Sequence, residues 1–204
     1  MKKNAGEVKR RERSDRRYRR GTMDPLKRLY EIARFSLIVG YFEYFKGGGS
    51  ILDVGCGVGI LVERLGPHAY SQYVGLDLEG EPIRVASRNT DDKTVFRCAD
   101  ANTYTPAETY DAVVFSESLY YLADPLEVVH RYARCLKRDG VLIVSMVAFP
   151  GMDRYWKGLE AAYRVLDEAT VSSKSGISWT CKVLLGNARS RRHNPSAGAR
   201  VKGK

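Results

Sequence analysis

The residues best suited to chemistry lie in Ile51-Leu52-Asp53-Val54-Gly55-Cys56-Gly57-Val58-Gly59, where an apolar run gives way to a turn with glycine at every second position. Glycine reaches positive φ freely and leaves no Cβ in the way of a ligand lying against the backbone. The amides of such a turn, and the start of the helix after it, favour polar and often anionic ligand groups. The spacing therefore predicts a nucleotide-like cofactor across the turn. Three details narrow the choice. A dinucleotide turn reads G-x-G-x-x-G, with the third glycine allowing close helix packing; here that glycine comes one position early, at Gly59, and Ile60 and Leu61 follow. Asp53 stands two places before the first glycine, where a carboxylate suits an ammonium group and opposes a pyrophosphate. Asp77 closes a second apolar run, Tyr73-Val74-Gly75-Leu76-Asp77, 18 positions after Gly59. An acidic residue at about that separation accepts hydrogen bonds from ribose hydroxyls. A ligand with an amino-acid end and a ribose end fits these details, which favours S-adenosylmethionine over NAD.

Such a turn needs a parallel sheet to carry it, and the hydrophobic pattern supplies one. Asp24-Pro25 is an N-cap followed by a first-turn proline, and Leu26, Leu29, Ala33, Leu37, Tyr41 and Tyr44 then recur at helical spacing until Gly47-Gly48-Gly49. Strands are predicted at 51–54, 73–77, 95–99, 112–116 and 141–148, with helices at about 59–65, 81–89 and 124–139. The last of these helices carries a capping box, Asp124-Pro125 with Glu127, a stripe of Leu126, Val129, Ala133 and Leu136, and Gly140 as its stop. A short helix at about 153–162 precedes two strands, 164–171 and 178–185, that flank Ser175-Gly176 as a hairpin. Strands alternating with helices imply an α/β, Rossmann-like, doubly wound sheet of seven strands, mostly parallel with a C-terminal antiparallel hairpin. The expected domain covers 23–185, between basic tails at 1–22 and 186–204.

At this point the chain resembles the class I S-adenosylmethionine-dependent methyltransferases, over roughly Asp24 to Leu185. The likeness rests on the D-x-G-x-G-x-G turn, on Asp77, on Asp100 after the third strand, and on one long block. That block runs from Tyr110-Asp111-Ala112-Val113-Val114-Phe115-Ser116-Glu117 through Leu119-Tyr120-Tyr121-Leu122-Ala123-Asp124-Pro125 to Leu136-Lys137-Arg138-Asp139-Gly140-Val141-Leu142. It departs from the family in having Arg138-Asp139-Gly140 for Pro-Gly-Gly, and in lacking a histidine near Tyr121. The resemblance implies that Asp53 meets the methionine ammonium, that Gly55, Cys56, Gly57 and Gly59 pack against methionine and ribose, that Asp77 with Leu78 holds the ribose, and that Asp100 with Ala101 holds the adenine. Ser116 belongs to the same rim. Asp77 and Asp100 have an alternative reading as turn or helix caps. Ser116 to Leu122 also resembles the nodulation-factor N-methyltransferase group, over seven positions, which inclines the acceptor slightly toward an amine.

Methyl transfer from a sulfonium needs chiefly alignment, because the sulfur already activates the carbon. A base is required only where the acceptor loses a proton during attack. Glu117 and Tyr121, just past the fourth strand, are the catalytic candidates, with Glu117 as base or ammonium partner and otherwise as a loop cap. Tyr120 and Tyr121 read more simply as an aromatic wall, which also suits a cationic acceptor. His130 reads as a helix-face residue. No large insertion supplies a lid, so the first helix and the segments after strands four and five are expected to cover the substrate.

Net charge is +10, but residues 1–20 carry +7 and residues 186–204 carry +6, which leaves the middle of the chain at −3. The tails read either as solubilising, disordered ends or as a contact for RNA or anionic lipid. No RNA-recognition motif accompanies them, and Ser116-Glu117-Ser118-Leu119 is not the N-P-P-Y type found in many RNA methyltransferases. Scattered cysteines (Cys56, Cys98, Cys135, Cys181) and the lack of an apolar leader predict a reduced, cytoplasmic setting. His68, His130 and His193 are too dispersed for a metal site, and the apolar run from Phe35 to Phe45 is too short for a membrane span. The expected partner is a small methyl acceptor. A nucleic-acid substrate and a cofactor-binding domain without catalysis are the alternatives.

Overall fold

The computed structural model describes residues 29–186. Helix α1 (Leu29–Lys46) leads into β1 (Ser50–Val54), and the glycine turn leads into α2 (Ile60–Leu65) and β2 (Gln72–Asp77). Helix α3 (Gly80–Ala86), with one further 3-10 turn to Asn89, precedes β3 (Thr94–Cys98). After β4 (Tyr110–Ser116) come a 3-10 turn at Leu119–Tyr121, α4 (Pro125–Ala133), β5 (Leu136–Val147) and α5 (Asp153–Ala162). The hairpin β6 (Arg164–Ser172) and β7 (Ser178–Leu185) closes the chain. The Asp24-Pro25 start and both tails lie outside the described residues.

The seven strands run in the order β3-β2-β1-β4-β5-β7-β6, parallel from β3 to β5, with β7 antiparallel between β5 and β6. Chain order reverses between β1 and β4, and in open sheets of this kind ligands bind outside the strand carboxyl ends at that reversal. Strands β1 and β4 and the Gly140–Met146 part of β5 are almost wholly buried, because helices cover both faces of the sheet. One face packs α1 and α2 over Ile51, Tyr73, Ala112, Val114, Ile143 and Val183. The other packs α4 and Leu159 of α5 over Leu52, Val74, Val113, Leu142 and Leu184.

Two expectations change. Helix α4 ends at Ala133 with Arg134 as its cap, and Leu136 already belongs to β5. Leu136 pairs with Tyr110 ahead of a register shift to Ala112, so the stretch to Gly140 is bulged strand and not helix. The buried residues of α4 are Val128, Val129, Tyr132 and Ala133, with Leu126 only half-buried. In α1 the periodic set does not mark the inner face: Leu29 is 82% exposed and Tyr44 83%, Leu37 and Tyr41 are half-buried against the core, and Glu31, Arg34, Phe35, Ile38 and Phe42 are the buried residues. This helix is apolar on nearly every side, so periodicity could not choose its inner face.

Candidate active site

The turn after β1 is held against β2, where Leu76 O accepts from Gly55 N at 2.7 Å and from Cys56 N at 2.8 Å. Gly55, Gly57 and Gly59 all have positive φ, at 83°, 55° and 80°. At Gly55 the requirement is also steric, since a Cβ there would lie 2.4 Å from the Cβ of Ser118. Cys56 lines the same turn with its thiol buried and bonded only weakly to Gly57 O, and burial pushes its pKa well up.

Asp53 is 1% exposed. Its Oδ2 accepts from the Tyr73 hydroxyl at 2.5 Å, and its Oδ1 is buried with no hydrogen-bond partner. Burial pushes its pKa up to about 7, against the Tyr73 hydrogen bond, which lowers it; the nearby Asp77 adds to the rise. A buried carboxylate oxygen without a donor is an acceptor in want of a cation or a donor group.

Asp77 Oδ2 accepts from Gly57 N at 2.9 Å, and Oδ1 accepts from Glu79 N at 3.0 Å. Burial raises its pKa and those amides hold it down. The carboxylate therefore fixes the glycine turn and caps its own loop. It keeps further lone pairs for hydroxyl donors, because each carboxylate oxygen has two. Leu78, the next residue, is 40% exposed. Asp100 Oδ1 accepts from Asn102 N at 2.9 Å and from Asn102 Nδ2 at 2.8 Å, which is the turn-capping role, with Ala101 half-buried beside it.

Past β4 the backbone of Glu117 takes φ 57°, the one positive φ outside glycine among the described residues. Its carboxylate accepts from Tyr120 Oη at 2.8 Å and Val147 N at 3.1 Å, with Ser145 Oγ farther off at 3.4 Å. Burial raises its pKa, opposed first by the charge of Arg34. Tyr121 packs its ring 4.6 Å from that of Tyr120 and is 58% exposed. His130 pairs instead with Tyr163 Oη, at 2.6 Å.

The sequence reading missed Arg34. Its guanidinium is buried, donates twice to Glu31 Oε2 at 3.0 and 2.8 Å, and hydrogen-bonds Ser116 Oγ from 82 positions away. The opposing charge at Asp53 also registers its presence. Close by, Tyr30 stacks on Trp179 of β7 with ring centroids 6.3 Å apart. A signal was available: two opposite charges three residues apart inside an otherwise apolar helix are buried together or not at all.

Asp53, the glycine turn, Asp77, Asp100, Ser116 and Glu117 thus gather at the carboxyl ends of β1, β2, β3 and β4, around the reversal of strand order. The unpartnered Asp53 oxygen, the glycines and the Asp77 carboxylate fit the ammonium, the body and the ribose of S-adenosylmethionine. Among the described residues no group of three His, Cys, Asp or Glu could hold a metal ion.

Residues 17–179 match the family described as "Methyltransferase domain". With the sheet order and the turn, this makes the chain a member of the class I S-adenosylmethionine-dependent methyltransferases, an enzyme family. It is 32% identical over 183 residues to the ubiquinone biosynthesis O-methyltransferase of Salmonella paratyphi A, a match covering 81% of this chain and 72% of that one. It is also 32% identical over 109 residues to the enzyme of that name from Actinobacillus pleuropneumoniae serotype 5b, covering 49% of this chain and 46% of the other, so it spans about half the length of that relative. The fold is similar to N-methyltransferase NodS of Bradyrhizobium japonicum WM9 in complex with S-adenosyl-L-homocysteine, with TM-score 0.66, 20% identity, and coverage of 77% of this chain and 88% of that chain.

Proposed function

We propose that the chain binds S-adenosylmethionine at this rim and transfers its methyl group to a hydroxyl of a small molecule. The observation that carries the reading is the buried, unpartnered Oδ1 of Asp53 beside a turn that excludes side chains, with Asp77 locked one strand away. Asp53 takes the ammonium, Gly55 to Gly59 the methionine and sugar, Asp77 with Leu78 the ribose, and Asp100 with Ala101 the adenine. Arg34, beside Ser116, faces the carboxylate end.

When bound, the cofactor supplies an already activated methyl carbon, so the protein's task is to align the acceptor and exclude water. Tyr120 and Tyr121 form the acceptor wall. Glu117 positions Tyr120 and the strand after it, and it takes the hydroxyl proton where the acceptor must lose one. The relatives named as O-methyltransferases support a hydroxyl in place of the amine that the seven-position likeness favoured. The fold likeness to an N-methyltransferase keeps the amine as the second reading.

Isothermal titration with S-adenosylhomocysteine is expected to show saturable binding, and NAD none; binding of NAD alone would overturn the cofactor assignment. Turnover of labelled S-adenosylmethionine on phenol, catechol and amine panels is expected on hydroxyls. Turnover confined to amines would overturn the acceptor assignment and leave the cofactor site standing.

A further inference from the structure

We infer that Asn102 is a positioning residue that ties two loops of the rim together, so that cofactor on one loop orders the acceptor wall on the other. The inference rests on the cofactor reading above. Asn102 is half-buried in the connection between β3 and β4, two residues past Asp100. Its main-chain N and its Nδ2 both donate to Asp100 Oδ1, at 2.9 and 2.8 Å, which leaves Asp100 Oδ2 for the adenine. In the other direction, Asn102 Oδ1 accepts from Ala123 N at 2.9 Å. Ala123 stands two residues past Tyr121, where the 3-10 turn that carries Tyr120 and Tyr121 leads into α4. The main-chain oxygen of Asn102 accepts from Arg131 Nη1 of α4 at 2.5 Å. Every polar group of this residue is therefore in use, and the three segments it joins meet nowhere else through one side chain.

A turn-capping role accounts for the two bonds to Asp100, which are local. It does not account for the bonds to Ala123 and Arg131, which span 21 and 29 positions of the chain. The acceptor segment is where such a tie has an effect. Tyr121 N donates to Ser118 O and Leu122 N to Leu119 O, each at 3.1 Å, so the 3-10 turn satisfies its own amides. Ala123 N is the next amide along, and it crosses to the cofactor loop. Tyr120 and Leu122 from one segment, and Ala101 and Tyr104 from the other, pack on the same core cluster as partly buried side chains. Order imposed on one loop then lowers the entropy cost of ordering its neighbour. A cofactor that fixes Asp100 and Ala101 fixes Asn102, and through Ala123 it fixes the wall before the acceptor arrives. By linkage, acceptor on the wall tightens the hold on the cofactor by the same factor.

Hydrogen exchange of the full-length protein is to be followed by mass spectrometry with and without saturating S-adenosylhomocysteine, reading the amides of Tyr121 and Leu122. The ligand is expected to slow them about fivefold or more, along with those of the glycine turn. Asn102→Ala removes the tie from one side. Ala123→Pro removes its donor from the other, at an exposed position where Leu122, at φ −77° and ψ 153°, already has the backbone that precedes a proline. Both variants are expected to bind S-adenosylhomocysteine in calorimetry and to slow at the glycine turn, while Tyr121 and Leu122 no longer respond to the ligand. The response is read, and not the exchange rate itself, so a bond that only stabilises the segment leaves it unchanged. A response that persists in Ala123→Pro overturns the inference, because the wall is then ordered through Ser116 and Glu117. So does an unsubstituted protein that binds the ligand and slows only at the glycine turn. A protein that shows no titration at all fails the cofactor reading instead, and calorimetry separates that failure from the other two.

Discussion

Asp53, Asp77 and Asp100 take their hydrogen bonds from partners no more than 20 positions away, most of them main-chain amides. Glu117, Ser116 and Arg34, on the other flank of the rim, depend on side chains and strands that arrive from 28 to 82 positions away. The first flank is a rigid local motif, tuned by burial. The second is assembled by tertiary packing of α1, β5 and β7 against the end of β4. Within one rim, one flank is written in local sequence and the other only in tertiary contacts.

Removing Arg34 tests the assembled flank most severely. Arg34→Met leaves Glu31 buried without its partner, and urea unfolding is expected to show a loss of about 3–5 kcal/mol. A loss below about 1 kcal/mol, the scale of an exposed pair, would mean that α1 is not anchored this way. On the local flank, Gly55→Ala forces a Cβ against Ser118 at an unfavourable φ, and a stability loss of about 1–3 kcal/mol with weakened S-adenosylhomocysteine binding is expected. Adding Ser118→Gly removes the clash and not the strain, so it should recover part of that loss; no recovery would show that the turn is shaped by something else.

Asp77→Ala is expected to weaken S-adenosylhomocysteine binding by about 1–3 kcal/mol in calorimetry, and unchanged affinity would take Asp77 out of the site. The pH dependence follows from Asp53. Its folded pKa of about 7 lies above the ordinary 3.8, so its contribution to ligand-free stability is full below the lower value and is lost as pH rises through the upper one. A cationic ligand group needs the ionised form. Affinity is therefore expected to fall about tenfold per pH unit below 7 and to level off above it. Asp53→Asn should flatten that profile, and a slope that survives the substitution would assign it elsewhere. The smallest effect belongs to Tyr121→Ala, with stability changed by less than about 0.5 kcal/mol while acceptor turnover falls. Turnover equal to that of the unsubstituted protein would remove Tyr121 from the acceptor wall.

The same contrast explains what could be read from the residues alone. The glycine turn, Asp77 and the alternation of strands with helices carry their meaning in short windows, and a mostly parallel seven-stranded sheet followed from them. The capping box at Asp124 was right in its start, with Glu127 N bonded to Asp124 Oδ1 at 3.2 Å, yet the helix stopped earlier than Gly140 because β5 needed Leu136 as a partner for Tyr110. In α1 apolar residues stood on nearly every side, and the deciding fact was the burial of Glu31 with Arg34, which only the distant Ser116 makes intelligible.

That the first helix stacks Tyr30 on Trp179 and reaches Ser116 has a consequence for synthesis on the ribosome. Tyr30 leaves the exit tunnel about 150 residues ahead of its aromatic partner, at roughly 5–20 residues per second. For that interval a strongly apolar helix has no finished surface to settle on. The nascent chain must shield it until β7 has emerged.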